Sequence, residues 1–174
     1  RARLDASLVI DPNTIVKSEG ARIDVEVGAQ LLAEGRDGQN VIFTSKLDDK
    51  FGGSGSFDTN NDGDQQAPEP GDWGGIFVGP HACGSFDYAL LTFGGGITPV
   101  EGSFAGFNVL EVYQGHARVA HSVFEFNADG TGGQAPSHRF GRGFNEEATI
   151  FLRHAQPVIV DNIIRNNEAT AISA

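Results

Sequence analysis

Between Phe57 and Gly75 the chain reads FDTNNDGDQQAPEPGDWGG. Asp58, Asn60 and Asp62 put an oxygen-bearing side chain at every second position, Gly63 follows at once, and Glu69 stands six residues further on. This is the spacing D-x-[DN]-x-[DN]-G-x5-E of a calcium loop. A hard cation such as Ca2+ takes roughly six to eight oxygen ligands. Alternate side chains converge on one point, and glycine permits the sharp turn. In that arrangement Asp64 offers its backbone carbonyl, Gln66 acts through a water, and Glu69 closes the shell with both carboxylate oxygens. Asp48, Asp49 and Asp72 are spare donors close by. Carboxylates this dense repel one another until a cation neutralises them. Pro68 and Pro70 flank Glu69, so no helix starts there and the loop differs from helix-loop-helix calcium proteins. The alternative is an acidic loop that is simply solvated.

Other reactive types are dispersed. His81, His116, His121, His138 and His154 show no zinc-ligand spacing and read as structural or solvated. His121 falls at a repeat position shared with Tyr88 and Asp161, which suggests a surface stripe. Cys83 is the single cysteine, so an internal disulfide is impossible, and its expected place is a small core residue. Asp87, Glu111, Glu125 and Asp161, with Arg118, Arg153 and Arg165 near them, are expected on outward strand faces. Paired carboxylates across a groove would be needed for glycoside hydrolysis, and no such pair is legible. Gly94-Gly95-Gly96 lacks the strand–turn–helix setting of a phosphate loop. The stretch from Asp129 to Phe144, rich in Gly with Arg, His and Phe, reads either as a sugar or partner contact or as a loop folded onto the body.

The elements that hold these residues are short. Apolar runs such as Leu8–Ile10, Ile23–Val25 and Val41–Phe43 are bounded by Gly, Pro, Asn and Asp, which supply turn conformations. No stretch sustains a helical period. Those three runs read as sitting one repeat apart, as do Ile15-Val16 and Leu31-Leu32, giving a period of roughly 15–25 residues. In the second half, residues 108–113 and 117–127 align without gaps on 148–153 and 157–167, and the same template fits 33 residues upstream. Repeats of this kind stack into a solenoid in which each unit buries its apolar face on the next. The expectation is one all-β domain over residues 1–174, with inserted loops at about 46–72, 95–105 and 128–147. Such insertions tend to project from one face.

The run Pro157-Val-Ile-Val-Asp-Asn-Ile-Ile-Arg-Asn-Asn-Glu-Ala-Thr-Ala-Ile172 resembles the repeat of right-handed parallel β-helix proteins. The resemblance implies turns closed by asparagines that stack from one repeat to the next, with Asn127, Asn162 and Asn167 as candidates. Gly28–Gly35, Val41–Ser45, the acidic loop and Pro70–Ile76 together resemble a module of large secreted bacterial surface proteins. These resemblances imply a calcium-stabilised structural or adhesive segment, extracellular or at the cell surface. A polysaccharide lyase or hydrolase, a carbohydrate-binding β-helix and a subunit of an extracellular filament are the alternatives.

Charge and length narrow the partners. The net charge is −11, with Lys and Arg too few to build a phosphate-binding face, so nucleic acid is disfavoured. No apolar run is long enough to span a membrane. The chain starts at Arg1 and ends inside a strand-like run, which suggests a piece of a longer polypeptide whose open end is met by its continuation or by neighbouring copies.

Overall fold

The computed structural model describes residues 2–4, 6–52, 56–63, 65–100, 103–130 and 145–174. Three parallel sheets make up the body. The first contains β1 (Ala2–Leu4), β4 (Arg22–Val25), β7 (Gly75–Val78), β12 (Leu110–Tyr113), β15 (Ala148–Arg153) and β18 (Thr170–Ser173). The second contains β2 (Ser7–Ile10), β5 (Gln30–Glu34), β8 (Cys83–Asp87), β13 (His116–Ala120) and β16 (Val158–Val160). The third contains β3 (Ile15–Ser18), β6 (Val41–Ser45), β9 (Ala89–Thr92), β14 (Val123–Glu125) and β17 (Ile163–Arg165). The chain visits first, second and third sheet in strict rotation, and each strand pairs with the strand one circuit away. No helix occurs among the described residues.

Register puts like on like. Ile23, Ile76, Leu110 and Ile150 align across the first sheet, Ala33, Phe86 and Val119 across the second, and Phe43, Leu91 and Phe124 across the third. All of these are buried in one continuous core. Strand β5 shows the reason: Leu31 and Ala33 are buried while Gln30 and Glu34 are exposed, so one face packs and the other meets water.

Register also corrects the first-half repeat. Leu8 pairs with Leu31, Ile15 with Ile42, and Ile23 with Ile76. The runs at 8–10, 23–25 and 41–43 therefore lie on three different sheets. A circuit contains three apolar runs, and matching one run to the next compares neighbouring sides of the body, not neighbouring circuits. In the second half the 40-residue offset holds at all three sheets, as Leu110 with Ile150, Arg118 with Val158 and Val123 with Ile163 show. Upstream, His116 with Cys83 keeps the 33-residue offset, whereas Leu110 pairs with Ile76, one residue more.

The corners are unusually tight for side-chain-bearing residues. Tyr88, His121 and Asp161 have φ of 45°, 48° and 55°, and Phe93, Phe126 and Asn166 have φ of 59°, 56° and 54°. Left-handed backbone costs roughly 1–2 kcal/mol at a residue with a Cβ. Hydrogen bonds from the next residue offset it. Asn127 Oδ1 accepts from Gly94 N at 2.8 Å, and Asn167 Oδ1 accepts from Asn127 N at 3.0 Å. At the other corner Ser122 Oγ accepts from Ala89 N at 3.0 Å and Asn162 Oδ1 from Ser122 N at 2.9 Å. The three asparagines thus occupy the turns expected of them, and Ser122 is a fourth member. The strained residues stack outside, Tyr88 on His121 with centroids 4.8 Å apart and Phe93 on Phe126 at 6.1 Å.

All three insertions leave a third-sheet strand and return to a first-sheet strand, so they share one corner. They span 46–74, 93–109 and 126–147, slightly wider than their apolar boundaries suggest. The second is a hairpin of β10 (Ile97–Val100) and β11 (Ser103–Gly106), antiparallel, and not a bare loop. It covers the outer face of the first sheet, where every residue of β4 and β7 is buried. Beneath it Arg22 pairs with Asp24 at 2.7 Å and lies 3.8 Å from the Phe107 ring centroid. Glu111, expected outside, is buried on this covered face at 4% exposure. The Gly-rich stretch 131–144 of the third insertion, with His138, lies outside the described residues.

Candidate metal centre

The acidic loop belongs to the first excursion, between β6 and β7. Its start is pinned at Asp48, whose carboxylate accepts from Thr44 Oγ1 and from Lys50 N, the latter at 3.2 Å. Asp49 then ties two parts of the loop together. Its backbone carbonyl accepts from Phe57 N at 3.0 Å and its Oδ1 accepts from Thr59 N at 3.3 Å. Lys17, on β3, donates to Phe57 O at 3.1 Å and Thr59 Oγ1 at 2.6 Å, anchoring the excursion to the first circuit.

Asp58 and Asp62 fold the loop around themselves. Asp58 accepts from Asp62 N at 3.2 Å and Gly63 N at 2.8 Å. Asp62 accepts from Gln65 N at 3.1 Å, Gln66 N at 3.0 Å and Asn60 Nδ2 at 2.8 Å. Asn61 (φ 58°) and Gly63 (φ 65°) take the left-handed turns this needs. The Gly63 N–H, foremost, holds the Asp58 carboxyl below its ordinary range; burial opposes it, and the N–H groups of Asp62 and Asn61 and the charge of Lys17 assist.

Carboxylate oxygens of Asp49, Asp58 and Asp62 come within 4.8 Å of one another. Asn60 Oδ1 is buried beside this half-exposed group in sequence and has no hydrogen-bond partner. Like charges gathered this closely, with an orphaned carbonyl oxygen in the same loop, match the donor chemistry of a hard cation. Of the six residues proposed from spacing, Asp58 and Asp62 meet directly, and Asn60 bridges to Asp62. The side chain of Gln66 is exposed, and its backbone serves Asp62. Glu69 is not in the cluster: it is exposed, and its N–H is bound by Asp72 Oδ2 at 3.1 Å, which also takes the Ser45 hydroxyl. Asp64 lies outside the described residues. Asp49 joins because the loop closes back on its own start, which motif spacing does not encode.

The excursion ends by locking into the body. Trp73 is buried and donates from Nε1 to Thr92 O at 2.9 Å. Gly75 has φ 117°, and a Cβ there would sit 2.3 Å from Asn108 O. Where the first two excursions cross, a Cβ on Gly96 would lie 1.8 Å from Gly71 O.

The remaining charged candidates pair across circuits. Asp87 lies 2.8 Å from both Arg118 Nη1 and His121 Nδ1, His121 Nε2 lies 3.8 Å from Asp161, and Arg165 lies 2.8 Å from Glu125. Burial pushes the Asp87 carboxyl up, but the hydrogen bonds and charges of His121 and Arg118 together outweigh it and hold the pKa low. Cys83 is half-buried on the outward row between Gln30 and His116, not in the core, because Gly84 and Phe86 take the inward positions of β8.

Fold and site together define an all-β protein of parallel sheets with an acidic loop at one corner. The chain matches no family model, no curated protein and no solved structure. No helix among the described residues is long and apolar enough to cross a membrane.

Proposed function

We propose that the chain is a calcium-stabilised structural segment, wound as a right-handed parallel β-helix, of a secreted or cell-surface protein with an adhesive or scaffolding role. The observation that carries this reading is the meeting of Asp49, Asp58 and Asp62 within 4.8 Å in a loop whose Asn60 Oδ1 is buried and unpartnered. Asp58, Asp62, Asp49 and Asn60 would hold the ion directly. Asp64 and Gln66 would complete the shell through a carbonyl and a water, and Glu69 would join only after its loop shifts. The ion neutralises the cluster and fixes an excursion that Trp73 and Gly75 return to the first sheet. A loop on the surface with half-exposed ligands suits the millimolar calcium outside cells better than trace cytosolic levels.

Thermal unfolding followed by Trp73 fluorescence tests this. At free calcium about ten times Kd the chain gains about 1.4 kcal/mol over chelator. Asp62→Ala removes most of that gain. If Asp58→Ala and Asp62→Ala leave calcium affinity and thermal midpoint unchanged, the reading fails.

A further inference from the structure

The first half of the same excursion folds against the outer side of β3 and leaves an open cleft of about 360 Å³. Small-molecule sites span about 300–1,000 Å³, mostly apolar walls with a few polar groups. The cleft is lined by Ile15, Phe51 and Phe57 and, on the polar side, by Asn13, Lys17 and Thr59. Phe57 is 62% exposed, an aromatic face offered to solvent at the edge of a cavity. The polar groups are held ready. Lys17 spends two hydrogen bonds on Phe57 O and Thr59 Oγ1, and an ammonium has three protons to donate. Asn13 is held at φ 66° with its backbone N–H on Asn40 O, and its side-chain amide makes no hydrogen bond among the described residues.

We propose that this cleft binds a neutral saccharide unit. A pyranose ring has an apolar C–H face and a rim of hydroxyls, and the cleft offers aromatic faces beside a short row of donors and acceptors. An aliphatic ligand would desolvate Lys17 and Asn13 without return. An anionic ligand would sit beside Asp49, Asp58 and Asp62 on a chain of net charge −11. The proposal does not rest on the calcium reading, since Lys17 anchors Phe57 and Thr59 without an ion.

The test titrates the full chain with cellotetraose, mannotetraose and maltotetraose, and with tetragalacturonate as the acidic counterpart. Amide shifts are followed by NMR, in calcium and in chelator. The expected result is a saturable shift of Lys17, Phe57 and Thr59 by a neutral oligosaccharide. Phe57→Ala should weaken it at least about tenfold with thermal midpoint and calcium affinity unchanged, and Lys17→Met should weaken it as well. The proposal is overturned if no neutral oligosaccharide gives a saturable shift, if binding survives Phe57→Ala at full strength, or if tetragalacturonate binds more tightly. Calcium affinity, read separately on Phe57→Ala, reports on the cation site alone, so either reading can fail without the other.

Discussion

Replacing Asn127 by Ala should remove the best-defined corner of the fold. The side chain is fully buried. Its Oδ1 accepts from Gly94 N at 2.8 Å, and its Nδ2 donates to Leu91 O at 3.0 Å and to Asn167 Oδ1 at 2.9 Å. A buried hydrogen bond is worth about 1 kcal/mol net, and a stranded buried N–H costs about 1–3 kcal/mol. The two bonds donated by Nδ2 and the stranded Gly94 N–H together give a loss of about 3–5 kcal/mol. That is a large share of the roughly 5–15 kcal/mol available to a domain. Urea unfolding followed by Trp73, the single tryptophan, measures it directly, since Trp73 Nε1 is bound to the same circuit at Thr92 O. Asn127→Ser should recover about half of the loss, because Ser122 does the equivalent job at the other corner with one hydroxyl, accepting from Ala89 N and donating to Ala120 O. A loss below about 1 kcal/mol for Ala, or a Ser variant no better than Ala, would refute the view that these side chains hold the corners.

Two further outcomes follow from the same geometry. Phe107→Ala should cost about 3–5 kcal/mol, because Phe107 is buried and covers the Arg22 guanidinium beneath the hairpin; differential scanning calorimetry reads this as a lower midpoint. Asp87 has a folded pKa below its unfolded value near 3.8, so its contribution is present above that value and is lost as pH falls through the lower folded pKa. Asp87→Asn should therefore destabilise by up to about 1 kcal/mol at neutral pH, discounted for the exposed partners, and the gap to wild type should narrow as pH falls below the unfolded value of 3.8. A gap that widens on acidification would contradict the assigned sign.

Much of the site and the fold was legible as pattern. Alternating oxygens from Asp58 to Asp62 with Gly63 behind them predict side chains that converge on one point; Asp58 and Asp62 do meet, and each also takes backbone N–H groups a few residues ahead, which the spacing did not announce. The asparagines at 127, 162 and 167 were legible only through the likeness of their run to parallel β-helix repeats, and they do close turns through hydrogen bonds to the neighbouring circuit. Asp49 was visible only as a nearby donor. It enters the cluster through hydrogen bonds to Phe57 and Thr59, contacts that depend on how the loop closes. Glu69 fits the motif but not the cluster: it is exposed, and a turn closed by Asp72 N on Glu69 O and Glu69 N on Asp72 Oδ2 holds it there. Glu111 reads as a solvent-facing strand residue and is buried, on a row it shares with the buried Phe77 and Phe151 of the circuits on either side.

The sequence by itself determined the local chemistry: short apolar runs that favour strands, turn residues that end them, and oxygen donors spaced to converge. These depend on residues within one turn or one strand of each other. In the second half the 40-residue repeat already marks which run pairs with which; in the first half the tertiary structure decided it, where Leu8 meets Leu31 and Ile23 meets Ile76. The shared corner of the three excursions, the covered outer face of the first sheet and the cleft beside β3 were decided there too. Each depends on contacts between residues tens of positions apart, whose partners are selected by burial and backbone pairing in three dimensions and leave no periodic mark along the chain.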